Sequence, residues 1–137
     1  MTPEAGRFLT KAHKHLEDAA TMLGVGLMEA AGRTAYLAGF HAAQAFIFES
    51  IGKIFKSHNG VQTEFLRLTK ADPRFTSDQR IFLSQTYNLK TIADYETGPS
   101  AEVSAERAAD AIEAGNQFVA HIAKLLAPAQ SESNPKP

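Results

Sequence analysis

The chain has 137 residues, 44% hydrophobic and 21% charged, with a net charge of −1, which fits one domain able to bury a core without covalent staples. It has no cysteine, which excludes disulfides, thiolate metal ligands and a cysteine nucleophile and fits a reducing cytoplasm. Residues 1–7 lack the apolar core of a signal peptide, and the most apolar run, residues 36–48, is too short to cross a bilayer and is broken by His41 and Gln44.

Five helices are readable in chain order. Thr2 as N-cap and Pro3 at the first helical position open the first. It continues through Phe8, Ala12, Leu16, Ala19 and Leu23, at spacings of three and four, until Gly24 and Gly26. The second carries Tyr36, Phe40, Ala43, Ile47, Ile51 and Ile54 at the same spacings. Small residues such as Ala35, Ala38, Gly39 and Ala42 let other helices approach it closely, so it reads as the central, buried helix. Ser57-His58-Asn59-Gly60 reads as the turn that ends it. A short third helix through Val61, Phe65 and Leu68 stops at Asp72-Pro73.

Thr76 with Gln79 fits a capping box that starts the fourth helix, which runs through Phe82, Thr86, Leu89 and Ala93 and stops before Gly98-Pro99. Ser104 caps the fifth, with Glu106 in its first turn and Ala108, Ile112, Gly115, Phe118, Ile122 and Leu125 as the apolar stripe. No stretch of useful length alternates as a strand would, and no internal repeat is present. The expected fold is all-α: an antiparallel up-and-down bundle of four main helices plus one short helix, spanning residues 1–126. Residues 127–137, rich in Pro, Ser and polar side chains, read as a disordered tail.

Charge is unevenly distributed. Residues 53–90 hold seven basic side chains against three acidic, whereas residues 91–137 hold three against seven. The basic middle suits phosphates, or it pairs with the acidic last helix of the same chain or of a twin subunit.

The chemistry-bearing motifs are few. His13 and His15 stand two apart and point to different sides of a helix, and neither an HExxH nor a repeated carboxylate–histidine pair occurs, so no metal or other cofactor is expected. Gly24-Val25-Gly26 follows no strand and satisfies no phosphate-loop pattern. There is no Gly-x-Ser-x-Gly. His58, placed at the end of the central helix beside Lys53 and Lys56, is either a phosphate or RNA contact or a cation that complements the helix dipole. Lys90 and Asp94, four apart, share one helix face with Tyr87, and Tyr95 closes the helix. That cluster is either a polar site or an exposed ion pair worth well under about 1 kcal/mol.

Several runs together resemble a known family. Arg33-Thr34-Ala35-Tyr36-Leu37-Ala38-Gly39-Phe40-His41-Ala42-Ala43 resembles the central helix of HEPN-domain proteins, typically R-x-A-Y-Y-A-x-F-H-A-A. Lys56-Ser57-His58-Asn59-Gly60-Val61 resembles their K-x-H-x-G-V turn, Ile92-Ala93-Asp94-Tyr95 their A-D-Y helix end, and Ser104 with Glu106, Ala109 and Phe118-Val119 their last helix. The likeness covers roughly residues 5–126 and is greatest to small single-domain members encoded beside a minimal nucleotidyltransferase.

The resemblance implies an up-and-down bundle that forms a homodimer with a cleft between facing motif helices. It implies metal-free RNA cleavage in active members, and a nucleotidyltransferase antitoxin that attaches AMP to the motif tyrosine of the toxin. Lys90 stands at the family's arginine position and Tyr95 at its tyrosine position. Lysine keeps the charge but lacks the planar fork of a guanidinium, and no histidine follows four to six residues after Lys90. The expected site is therefore Lys90, Asp94 and Tyr95 as catalytic candidates, Lys56, His58, Tyr87 and Lys90 for RNA or nucleotide, and Tyr95 as AMP acceptor. A toxin-type protein acting on or binding RNA is one expectation. A non-catalytic dimer that binds nucleotide or a protein partner is the other.

Overall fold

A computed structural model describes residues 1–128 of the chain. The expected tail falls, beyond residue 128, outside the described residues. These residues form five α-helices: α1 (Pro3–Gly24), α2 (Met28–Ile51), α3 (His58–Thr69), α4 (Ser77–Tyr95) and α5 (Ala105–Leu126), with a 3₁₀ turn at Gly98–Ala101. Among the described residues there is no strand, and no helix is long and apolar enough to cross a membrane.

The caps follow the sequence. Thr2 accepts the Ala5 N–H, Ser104 accepts the Arg107 N–H, and Thr76 and Gln79 form both halves of the capping box. Side-chain contacts set the helix directions. Thr2, at the start of α1, donates to Glu49 near the end of α2. Gly32 and Gly39 of α2 lie beside Leu89 and Phe82 of α4, in reversed order. Glu29, at the start of α2, accepts from the Val103 N–H just before α5. Helices α1 and α4 therefore run one way and α2 and α5 the other, with α3 spanning the end between α2 and α4. This is the expected up-and-down bundle.

Helix α2 is central because it has almost no polar face. Ala35, Tyr36, Ala38, Gly39, Ala42, Ala43, Ala45, Phe46 and Ile47 are all buried. Its small residues bring ring-bearing side chains against its backbone. A Cβ built on Gly39 would overlap the ring of Phe82, which stacks on Phe118 at 4.8 Å between centroids. Phe46, Phe65 and Phe75 pack edge to face at the α3 end.

The sequence expectation errs at the end of α2. The helix stops at Ile51, where Gly52 turns left-handed at φ 71°, so Ile54 is not part of it and lies half exposed in a loop. His58-Asn59-Gly60 is not a turn but the first turn of α3, capped by Ser57, which accepts the Gly60 N–H at 2.9 Å. Spacing alone carried the apolar pattern through Ile54, but the left-handed cap at Gly52 overrides it. A cation is unfavourable at the positive N-terminal end of a helix dipole, so the dipole-complementing role considered for His58 is ruled out.

Candidate functional site

The loop between α2 and α3, the middle of α2 and the last turns of α4 meet in one open cleft. Its volume is about 280 Å³, and it is lined by Tyr36, Leu37, Phe40, Lys56, His58, Tyr87 and Lys90. All four residues assigned to RNA or nucleotide thus line one cavity, although Lys56 and Lys90 come from different elements.

Tyr36, 1% exposed, forms the floor. Its hydroxyl lies 2.7 Å from His58 Nδ1. Burial pushes the Tyr36 phenol above its usual range, with Tyr87 adding to the effect, so the hydroxyl stays protonated and shares a hydrogen bond with the imidazole. His58 in turn stacks on Tyr87, with ring centroids 3.8 Å apart and planes 18° apart. Burial holds the His58 pKa below the ordinary imidazole value. A hydrogen bond with Gln62 opposes that shift, and the Lys90 charge reinforces it. His58 is therefore a neutral imidazole near pH 7, with a hydrogen-bond partner on each side.

The position of Lys56 is set from below. Gln44, buried on α2, donates to the Phe55 carbonyl at 2.8 Å and bonds to His41 Nδ1 at 2.7 Å through its own oxygen. The two polar residues that interrupt the apolar run thus clamp the loop that carries Lys56.

On the other wall, Lys90 Nζ lies 2.8 Å from Asp94 Oδ2. It also sits 5.9 Å from the centroid of the Tyr87 ring and 5.5 Å from that of Tyr95. The Asp94 hydrogen bond raises the Lys90 pKa, and the same bond, joined by one from Arg33, lowers that of Asp94. Asp94 lies outside the cleft wall as an anchor. Tyr95 is 72% exposed and, like Asp94, does not line the cleft.

Sequence reasoning missed Tyr36, Gln44 and Arg33 as site residues. Tyr36 and Gln44 sit on the most apolar helix, where a buried hydroxyl or amide has no periodic signature. Arg33 reaches Asp94 across sixty-one positions, Nε to Oδ1 at 2.6 Å. Among the described residues no ion pair joins residues 53–90 to α5: Arg67 pairs with Glu64, Arg74 with Asp72 and Lys90 with Asp94. The alternative in which the basic middle is spent on the acidic last helix of the same chain is therefore not realised there. Among the described residues no group of three or more His, Asp or Glu side chains could hold a metal ion.

A family model described as the HEPN domain matches residues 5–125. Among solved structures the chain is similar to TT1696 from Thermus thermophilus, with a TM-score of 0.77 at 19% identity over 91% of this chain and all of that one. At that identity the likeness carries the fold. No curated protein matches the chain.

Proposed function

The chain belongs to the HEPN-domain family, and from that premise we propose that its cleft binds single-stranded RNA, with phosphates on Lys56 and Lys90 and a base against the Tyr87–His58 rings. The observation that supports this most is the convergence of two lysines from separate elements on one aromatic-floored cavity. Cationic side chains beside stacking rings are what a single strand recognises. The positive N-terminal end of α3 adds to the field at His58 and Lys56. A cavity of 280 Å³ lies at the small end of ligand pockets, about 300–1,000 Å³, and suits one nucleotide unit of a chain.

Binding is favoured over cleavage because the one imidazole in the cleft is held by Tyr36 and Gln62 and stacked on Tyr87. A general base needs a nitrogen within reach of the proton it takes.

Fluorescence anisotropy with a short single-stranded RNA tests the reading. Saturable binding should weaken linearly in log–log form as salt rises, with Lys56→Ala and Lys90→Ala each weaker and shallower in slope. Absence of binding at low salt would sink it. RNA cleavage by the purified protein that His58→Ala abolishes would replace binding by catalysis.

A second reading concerns Tyr95, whose exposure favours access by a modifying partner. In it the protein is the toxin-type half of a nucleotidyltransferase pair and works as a homodimer. The Tyr95 hydroxyl oxygen attacks the α-phosphorus of ATP on the partner, pyrophosphate leaves, and the phenolic proton passes to a base of the partner. Intact-mass spectrometry after co-expression with a neighbouring nucleotidyltransferase should show the added AMP. An unmodified Tyr95 would end this reading and leave the RNA cleft standing.

A further inference from the structure

Asp94 is shared. One of its oxygens takes Lys90 Nζ at 2.8 Å and the other takes Arg33 Nε at 2.6 Å. Two cations from different helices thus converge on a single carboxylate, leaving a net positive charge there. The grip on Arg33 is partial. Arg67 and Arg74 each meet their carboxylate through Nε and Nη2 together, whereas Arg33 meets Asp94 through Nε alone. The amino edge of the Arg33 guanidinium is therefore not on Asp94. Its side chain is 40% exposed. Arg33 also lies one helical turn before Leu37, and Leu37 lines the cleft together with Lys90.

We propose that Arg33 extends the cleft into a track, its free guanidinium edge taking the RNA phosphate next to the one on Lys90. The inference rests on the RNA reading of the cleft. The track runs from Lys56 past the Tyr87 ring to Lys90 and then Arg33. Its cations are interleaved with an aromatic face, as a single strand needs. A guanidinium fork matches two phosphate oxygens at once, which neither lysine does. Asp94 holds Arg33 and Lys90 side by side in the free protein and competes with the incoming phosphate for both.

The test is RNA anisotropy across a salt series on the full chain. Arg33→Ala should weaken binding by about tenfold and flatten the log–log salt slope by about 0.7, the single-strand value for one phosphate contact. Arg33→Lys should recover the slope but not the full affinity. Asp94→Ala breaks the same link between α2 and α4 but spares both cations, so it should bind RNA more tightly than wild type. Arg7→Ala, on the first turns of α1, should bind as wild type does. Thermal melts of each variant confirm folding.

Wild-type affinity in Arg33→Ala, with Lys90→Ala weakened, overturns this inference and leaves the cleft reading intact. Equal affinity of Arg33→Lys and wild type overturns the fork. Weakening in Asp94→Ala to match Arg33→Ala makes the residue a structural tie and overturns the proposal as well. Failure of the wild type itself to bind overturns the cleft reading first.

Discussion

Helix α2 presents two contrasting regions to the rest of the molecule. Along one, Gly32 and Gly39 let Leu89 and Phe82 press against the backbone, with Phe118 stacked on Phe82. Along the other, Tyr36, Leu37 and Phe40 meet His58, Tyr87, Lys56 and Lys90 across an open cleft. The seam is held by shape, where a single added carbon has nowhere to go. The cleft is held by a few directional contacts and retains free volume. A seam of this kind tolerates little substitution but carries no chemistry. A cleft of this kind carries chemistry only while the seam keeps its walls in register.

The sharpest test of the seam is Gly39→Ala. Its Cβ would overlap Phe82, and any shift of that ring disturbs its stack on Phe118. The variant should lose about 3 kcal/mol or more, at the upper end of overpacking costs. Denaturant midpoints at unchanged m-value would measure it. A near-neutral result would mean that Phe82 repacks and that the seam is less rigid than its geometry. Gly32→Ala is the internal comparison: its nearest neighbour is the flexible Leu89 side chain at 3.3 Å, so the loss should stay below that of Gly39→Ala.

A smaller effect is expected where the two regions touch. Tyr36→Phe keeps the buried ring and removes only the hydroxyl that satisfies His58 Nδ1. Leaving a partly buried ring nitrogen unpaired costs about 1–2 kcal/mol. The same variant should weaken RNA binding, because His58 and the stacked Tyr87 lose their anchor. Unchanged stability together with unchanged binding would show that the Tyr36–His58 bond is incidental.

These two regions were not equally legible in the sequence. The seam was legible because burial follows the helical repeat: Leu16, Ile47, Phe82, Leu89, Phe118 and Ile122 all fall on apolar stripes and are all buried. The caps at Thr2, Thr76 and Ser104 were legible for a local reason, since each side chain bonds a backbone N–H three residues on. The cleft was only half legible. Lys90 and Asp94 were paired correctly because four residues make one helical turn. The pairings of His58 with Tyr36, of His58 with Tyr87 and of Arg33 with Asp94 span twenty-two to sixty-one positions and depend on how whole helices dock. No local rule reaches that far. The misread end of α2 has a different cause, since Ile54 keeps the right spacing and only the left-handed Gly52 shows that the helix has stopped.

The smallest expected effects are electrostatic, and they separate the cleft from the acid-sensitive surface. His15, His41 and His58 all have pKa values held below the ordinary imidazole value, burial being the main cause in each. The unfolded chain therefore binds protons on these rings before the folded chain does. Stability should be full above about pH 6.5, the unperturbed imidazole value, and decline as the pH falls below it. Asp94, Asp72 and Glu49, whose pKa values are lowered by hydrogen bonds from Lys90, Arg74 and Thr2, contribute a second decline. That decline lies below the ordinary carboxylate range of about 4.

Within the first decline His58 is distinguishable from the other two, because the Lys90 charge helps to depress it and is not among the causes for His15 or His41. Lys90→Ala should raise the His58 midpoint and leave those of His15 and His41 in place, as read by NMR of the imidazole protons. Added RNA should raise it too, since a phosphate on Lys90 cancels the same charge. A His58 midpoint that follows neither change would mean that Lys90 points away from the ring in solution, and the cleft would lose one of its walls.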